Sequence, residues 1–441
     1  MNRSLLLMLL LCRLTGLSQA TQPARPPSAV AYTQSLKKLT DVMVTDVIGP
    51  CAAARYYAYA NLAAYELMYR QQHPAGYVAL TGKLRAYKLP DAPVPNPAID
   101  VDFGAQYALL RMGEEMLPSG YLLEAARNEL IKAGSPLSHE QITATRAYAD
   151  SLVKRILKYA AADGYVKTSG YLRFTPDEKP GAWQPTPPAY SESYEPYWST
   201  LRPFLLDSAA QFRPARPIPY SEQKESAFFR QAKEVYDTCR VLTAEQQHIA
   251  NFWDCNPFFL NQKGHISFGT KKISPSGHWM GITSLISQQQ NLSLAETVRW
   301  HALVSLTMAD AFISCWEEKY YSNRIRPETY INQHLDRAWR PLLQTPPFPE
   351  YTSGHSVASQ AVATVLTALA GKPIGYVDTV EVEFGVAARP YLSVKHAARE
   401  AAISRLYGGI HFRDSIENGM QQGEQVGQFV LNRLGLLPTG R

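Results

Sequence analysis

Seven residues in the last third of the chain have the types and the order of an oxyanion-binding cage: Lys319, Arg326, Ser353, Gly354, His355, Arg405 and His411. Lysine and two arginines bring three fixed positive charges. Such charge is tolerated in a folded interior only when something negative neutralises it. Glu317 and Glu318 adjoin Lys319, but carboxylates do not accompany every member of the set. A multiply charged anion such as phosphate or vanadate is the partner this composition calls for. The two histidines add proton transfer, or direct bonding to the central atom of the anion.

Each fragment presupposes an element that aims it. Lys319 and Arg326 are seven residues apart, two turns of helix, so one face can present both. Pro327 disfavours helical backbone at Arg326, so the helix ends there and frees the guanidinium fork for two oxygens. Taken alone, the pair reads better as a solvated basic helix end beside Arg324. Ser353 is placed as the N-cap of a new helix, Gly354 lets a ligand approach the backbone, and helix starts of this kind bind anions. His355 would then donate a proton to a ligand oxygen or accept one. The tripeptide proves little by itself, because Ser276-Gly277-His278 repeats it. Arg405 and His411 flank Gly408-Gly409, a break that lets both turn toward one point. A helix is expected just after His411. Asp414 and Glu417 in its first turns either hold the ring nitrogen that faces away from the ligand or simply stabilise the helix start. Asp254 and Asp310 are both candidates to pair with a cage cation.

The surrounding chain predicts an all-α fold, helical bundles with a long Pro/Tyr/Trp-rich irregular segment. Residues 21–167 form an N-terminal helical region, with helices over Ala52–Leu67, Ala105–Met116 and Gly120–Ala133. Another is opened by a capping box at Ser138 and Gln141. Residues 168–220 hold too many prolines for a helix. They join the halves with packed aromatics, the plainer reading, or roof a pocket. Residues 221–441 form a C-terminal helical domain. Its predicted helices are Ala295–Tyr320 carrying Trp316 and Lys319, Gly354–Leu369 stopped by Gly371, and Asp414–Leu434.

The chain is 46% hydrophobic and 19% charged, with a net charge of +6 and no long Lys/Arg run. Nucleic acid is therefore not an expected partner. Past the N-terminus no segment approaches the roughly eighteen apolar residues of a membrane span, so no transmembrane bundle is expected. Residues 1–20 read as a secretory signal, with Arg3, the apolar run Leu5–Cys12 and small residues at Ser18-Gln19-Ala20. The expected location is periplasmic or secreted. A lipid anchor on Cys12 is the lesser reading, since Leu11 stands where a small residue is expected. Cleavage leaves Cys51, Cys239, Cys255 and Cys315, none at metal-ligand spacing. Three disulfide pairings are open, and Cys315 reads as a buried helix residue.

Lys319 with Arg326-Pro327, then Ser353-Gly354-His355, then Ser404-Arg405 with His411, resembles the three-part signature of the type-2 phosphatidic acid phosphatase and vanadium haloperoxidase superfamily. The run Thr345-Pro346-Pro347-Phe348-Pro349-Glu350-Tyr351-Thr352-Ser353-Gly354-His355 is similar to the haloperoxidase version. Trp316 and Phe348 look like pocket positions of the chloroperoxidase type. The Trp/Pro-rich stretch near 183–204 and Phe252-Trp253-Asp254 resemble that branch too. The resemblance spans about 180 to 436. It implies vanadate as cofactor, held by Lys319, Arg326, Arg405, Ser353 and the Gly354 N–H. His411 would be the metal ligand, His355 the acid–base, Lys319 would also act in catalysis by polarising the bound peroxide, and hydrogen peroxide and halide would be the substrates.

The same cage also suits an acid phosphatase acting on a small phosphomonoester without cofactor. His411 would form a phosphohistidine intermediate and His355 would protonate the leaving oxygen. Two positions depart from the pattern. Ser415 stands where the phosphatases have an Asp, with Asp414 one earlier, and Thr352 stands where the family has Pro. A non-catalytic anion-binding scaffold is the remaining reading, and the presence of both histidines argues against it.

Overall fold

The computed structural model describes residues 28–437 apart from 90–92, 134–135, 264 and 270. The signal-like segment with Arg3, Leu5–Cys12 and Ser18–Ala20 lies outside the described residues. In chain order the helices are α1 (Ser28–Thr45), α2 (Pro50–Gln72), α3 (Val101–Met116), α4 (Glu124–Ala133), α5 (His139–Ala161), α6 (Tyr165–Thr168) and α7 (Ala227–Arg240). They continue as α8 (Ala244–Phe252), α9 (Pro275–Gln289), α10 (Leu294–Ser322), α11 (Pro327–His334), α12 (Gly354–Ala370), α13 (Val394–Tyr407) and α14 (Arg413–Leu434). Two short antiparallel ribbons interrupt them, β1 (Leu260–Lys263) with β2 (Ile266–Gly269) and β3 (Tyr376–Asp378) with β4 (Arg389–Tyr391). Strands of three or four residues are too short to register as a period-two pattern in sequence.

The fold is organised around α10, which opens with a capping box of Ser293 and Glu296 and is buried on nearly every side. A helix apolar all round belongs in an interior. It packs against α2, α9, α12 and α14, so one hydrophobic core runs from the N-terminal helices into the C-terminal ones. A smaller cluster around Phe228, Tyr330 and Phe412 joins α7 and α11 to the start of α14. The predicted capping box at Ser138 is present at the head of α5, and Gly371 ends α12 with φ at +67°.

The α12–α14 pair sets the position of the site. Gly419, Gly423 and Gly427 recur every four residues and form one stripe on α14. A Cβ on Gly423 would sit 2.2 Å from the Val357 carbonyl oxygen, and one on Gly427 2.8 Å from that of Ala361. Only a surface without side chains lets α14 come this close to the first turns of α12.

Residues 168–220 pack onto the helical core through their aromatics. Trp183 and Trp198 are fully buried, and the Phe204, Leu205 and Leu206 N–H groups all donate to the Asp310 carboxylate at 2.6–2.9 Å. Asp310 therefore anchors this segment to α10 and pairs with no cage cation. Tyr194, from the same segment, lays its ring against Phe258, Trp316 and Phe348. Among the described residues no helix is long and apolar enough to cross a membrane. Cys51, Cys239, Cys255 and Cys315 are all free, and Cys315 is buried on α10 as expected.

Candidate active site

The last turn of α10 delivers Lys319, whose ammonium is fully buried and donates to three carbonyls, those of Pro349 at 3.0 Å, Glu350 at 3.1 Å and Thr352 at 2.5 Å. All three of its donors are thus spent on the loop that leads into α12. Asn323 in the left-handed region ends α10, and Arg326 becomes the N-cap residue of α11 with Pro327 at its first position. Arg326 donates through Nε to Phe348 O at 2.8 Å and through Nη1 to Ile410 O at 2.9 Å. Its buried Nη2 meets no protein acceptor. One arm of the fork is therefore free, rather than the whole fork. Burial pushes Lys319 down to about 8 and Arg326 to about 10. Glu317 and Glu318, beside Lys319, turn to Arg213 instead.

Ser353 caps α12 as expected, its hydroxyl accepting from the Ser356 N–H at 3.3 Å. Its own N–H donates to Ser415 O at 3.2 Å, which ties the start of α12 to α14. His355 hydrogen-bonds the Trp253 backbone, and its Nε2 has no protein partner. Arg405, at the end of α13, donates to Ser404 Oγ at 2.9 Å and to Trp253 O at 2.6 Å. Gly408 closes α13 and Gly409 follows at φ +77°, the break that swings His411 back beside Arg405.

His411 is held by a residue that sequence-local reasoning missed. Its Nδ1 lies 2.7 Å from Glu350 Oε1, and the Phe412 N–H donates to that same oxygen at 3.0 Å. A carboxylate at Nδ1 places the proton there and leaves Nε2 with the lone pair. Arg326 Nη1 approaches Nε2 at 3.2 Å. Asp414 does not take this role. It pairs with Arg324 at 2.8 Å and accepts from the Ile218 N–H, because the first turn of α14 points it away from the ring. Asp254 binds Lys272, though its charge also acts on Arg405. Burial, and then the neighbouring cage cations, hold both His355 and His411 well below the ordinary histidine range.

Gly354, His355, Arg405 and His411 open onto one pocket whose wall includes Trp316, Phe348, Phe258 and Phe312. Lys319, Arg326 and Ser353 stand behind this lining. Trp316 and Phe348 sit 5.0 Å apart, ring to ring, and the Lys319 ammonium lies 5.6 and 5.1 Å from their centres. The structure thus gathers all seven cage residues and the two aromatic positions. It leaves out Asp414 and adds Glu350, a carboxylate inside the loop that joins α11 to α12. The second Ser-Gly-His copy stands elsewhere, on α9. The arrangement is a buried, cationic cradle with two imidazoles held toward their neutral form, suited to holding an oxyanion and moving protons around it.

Residues 299–437 match a family model described as the VCPO second helical-bundle domain. The whole chain is similar to a bacterial vanadium-dependent iodoperoxidase, at 41% sequence identity and a TM-score of 0.87, over 94% of this chain and 98% of that one. It is similar in fold to the holo form of a bacterial vanadium-dependent chloroperoxidase, at 16% identity and a TM-score of 0.67, over 88% of this chain and 93% of that one. The apo form gives 17% identity and the same TM-score, over 88% and 94%. No curated protein matches the chain.

Proposed function

The chain belongs to the vanadium-dependent haloperoxidases, and on that premise we propose how its own residues divide the work. It is a peroxidase, and vanadate is its cofactor. The residues present fit that group: Arg326 Nη2 and His355 Nε2 are buried polar atoms without a protein partner, amid three cations. When bound, vanadate supplies the Lewis-acid centre at which hydrogen peroxide is activated to oxidise halide. Arg326, Arg405, Ser353 and the Gly354 N–H would hold its oxygens. Lys319 adds charge from behind and fixes the loop that presents Ser353. Glu350 orients His411 so that Nε2 would serve as the metal ligand. His355 donates through Nδ1 to the Trp253 carbonyl, which leaves its neutral Nε2 free to take a proton from hydrogen peroxide and later return one.

The observation that carries this reading is the likeness of nearly the whole chain to an iodoperoxidase, with an intact cage. It favours the haloperoxidase over the phosphatase reading, and it makes iodide the proposed halide. Residues 1–20 support export to the periplasm or medium, with a Cys12 anchor as the lesser alternative. The test is to dialyse the purified protein against orthovanadate and follow oxidation of iodide, bromide and chloride by hydrogen peroxide. Hydrolysis of a chromogenic phosphomonoester without vanadate runs alongside. Iodide oxidation that needs vanadate and is lost in His411→Ala is expected. Halide oxidation surviving that substitution would refute the ligand, and hydrolysis alone would restore the phosphatase.

A further inference from the structure

The second Ser-Gly-His copy leads to a different chemistry. Ser274, not Ser276, caps α9, and His278 in its first turn is fully buried. Its Nδ1 lies 3.2 Å from Cys255 Sγ and 3.3 Å from Glu381 Oε1, and those two atoms are 3.5 Å apart. Its Nε2 lies 2.9 Å from Asp378 Oδ2. The four residues come from the segment after α8, from α9, and from the end and exit of β3, so no spacing in the sequence announces them.

We propose that Cys255, His278 and Glu381 form a second metal centre, which binds a divalent cation of the zinc class and leaves a fourth position for water. The geometry supplies the first argument. Zinc bonds of about 2.3 Å to sulfur, about 2.0–2.1 Å to nitrogen and about 2.0–2.2 Å to oxygen, set at tetrahedral angles, place the ligand atoms about 3.4–3.6 Å apart. The triangle of 3.2, 3.3 and 3.5 Å is close to one face of that tetrahedron. The donor set supplies the second: sulfur, nitrogen and oxygen together suit zinc, whereas magnesium and calcium take oxygen alone. Asp378 supplies the third. A carboxylate on Nε2 keeps the proton on that side and turns the Nδ1 lone pair toward Cys255 and Glu381, the orienting contact that metal-bound histidines carry. Charge supplies the fourth. Two buried carboxylates converge on one imidazole, and the nearby cation Lys272 is engaged by Asp254.

Binding displaces to solvent the thiol proton of Cys255 and any proton carried by His278 Nδ1, and forms three bonds to the cation, with no change of oxidation state. The consequence reaches the vanadate cradle. Trp253 stacks on His278 at 4.7 Å, and its carbonyl receives Arg405 and His355. Cys255 itself lines the pocket. A cation at this centre therefore pins the segment on which two cage residues rest. It acts as a structural tie at a site separate from the vanadate cradle.

The full chain, stripped with a chelator, is titrated with cobalt(II) as a spectroscopic stand-in for zinc. One equivalent should bind with a thiolate-to-cobalt charge-transfer band, and zinc should remove that band. Among the described residues no other Cys, His, Asp and Glu group is arranged to give one. Cys255→Ser should abolish the band, and Asp378→Asn should weaken cobalt binding about 10–100-fold. Added zinc should raise the Tm of the wild-type protein, a readout that stands even where a variant fails to fold. Wild-type protein that takes up no stoichiometric cobalt, or a band that persists in Cys255→Ser, overturns the centre. Vanadate-dependent iodide oxidation measured on the same sample keeps that result separate from the haloperoxidase reading.

Discussion

Replacing Glu350 with Gln tests the site where sequence and structure part. The side chain is fully buried, and its Oε1 receives the His411 ring at 2.7 Å and the Phe412 N–H at 3.0 Å, with Ser415 Oγ the ring's more distant partner at 3.2 Å. Gln keeps the shape and that oxygen but removes the charge. Arg324 loses a partner at 3.4 Å but keeps Asp414 at 2.8 Å, so the arginine is not left alone. Hydrogen bonds to charged groups contribute about 1.5–3 kcal/mol, against about 1 kcal/mol for neutral pairs. The difference, about 0.5–2 kcal/mol in the His411 bond, makes Nε2 a poorer ligand. Removing the orienting partner of a metal-bound histidine costs about 10–100-fold. The two ranges overlap near tenfold, or about 1.4 kcal/mol. Apoprotein reconstituted over a range of vanadate concentrations, with iodide oxidation as the signal, should show Glu350→Gln shifted to about tenfold weaker binding. Thermal unfolding of the apo variant confirms that it is folded. A folded variant with unchanged vanadate affinity would refute the claim that Glu350 orients His411.

Three other outcomes follow from the same geometry. Lys319 sits at about 8 against an ordinary 10.5 because it is buried, so between those values the unfolded chain holds a proton that the folded protein has shed. Its contribution to stability therefore improves as pH rises through that window, while the cage loses charge. Oxyanion affinity should fall above about pH 8 beyond what the anion's own ionisation imposes, and Lys319→Arg, which keeps its proton there, should flatten that decline in a competition titration. Gly423→Ala places a methyl 2.2 Å from the Val357 carbonyl and should cost about 1–3 kcal/mol in urea unfolding, with loss of activity as the start of α12 is displaced. Burial raises Glu195 to about 7 from 4.5, so the folded protein keeps a proton the unfolded chain has released, and stability declines as pH rises across that interval. Glu195→Gln should therefore raise the Tm more at pH 8 than at pH 5, and an equal gain at both would contradict the buried carboxyl.

The cage was legible because its members carry charge, glycine or imidazole in a fixed order, and helix ends marked by Ser353, Gly371 and the Gly408-Gly409 pair are short-range signals. The helices over 295–320, 354–369 and 414–434 match α10, α12 and α14 to within a few residues. Partners chosen by loop geometry were not legible. Proximity in sequence offers Asp414 or Glu417 as the histidine's partner, or as plain helix-start carboxylates, yet the turn that starts α14 sends Asp414 to Arg324. Glu350 lies sixty-one residues from His411 and was present in the motif without a role. Asp310 looked like a counter-ion and instead receives three N–H groups from an irregular segment that no periodicity describes. The glycine stripe on α14 was visible as spacing, but what it spares, the Val357 carbonyl, belongs to another helix.

The charge balance that pointed to an anion is met in two stages. Lys319 spends its three donors on carbonyls of residues 349, 350 and 352, and Arg326 spends two on those of residues 348 and 410. These contacts pull the loop before α12 into shape, and that loop in turn aims Glu350 at His411. Carbonyl oxygens carry only partial charge, so they satisfy the donors without cancelling the cations. The requirement for a full negative charge is thereby passed to the atoms left over, Arg326 Nη2 and His355 Nε2, beside Arg405 and the Gly354 backbone. An oxyanion bound there completes a network whose geometry the protein has already fixed, which is the condition under which preorganised donors stabilise charge most effectively.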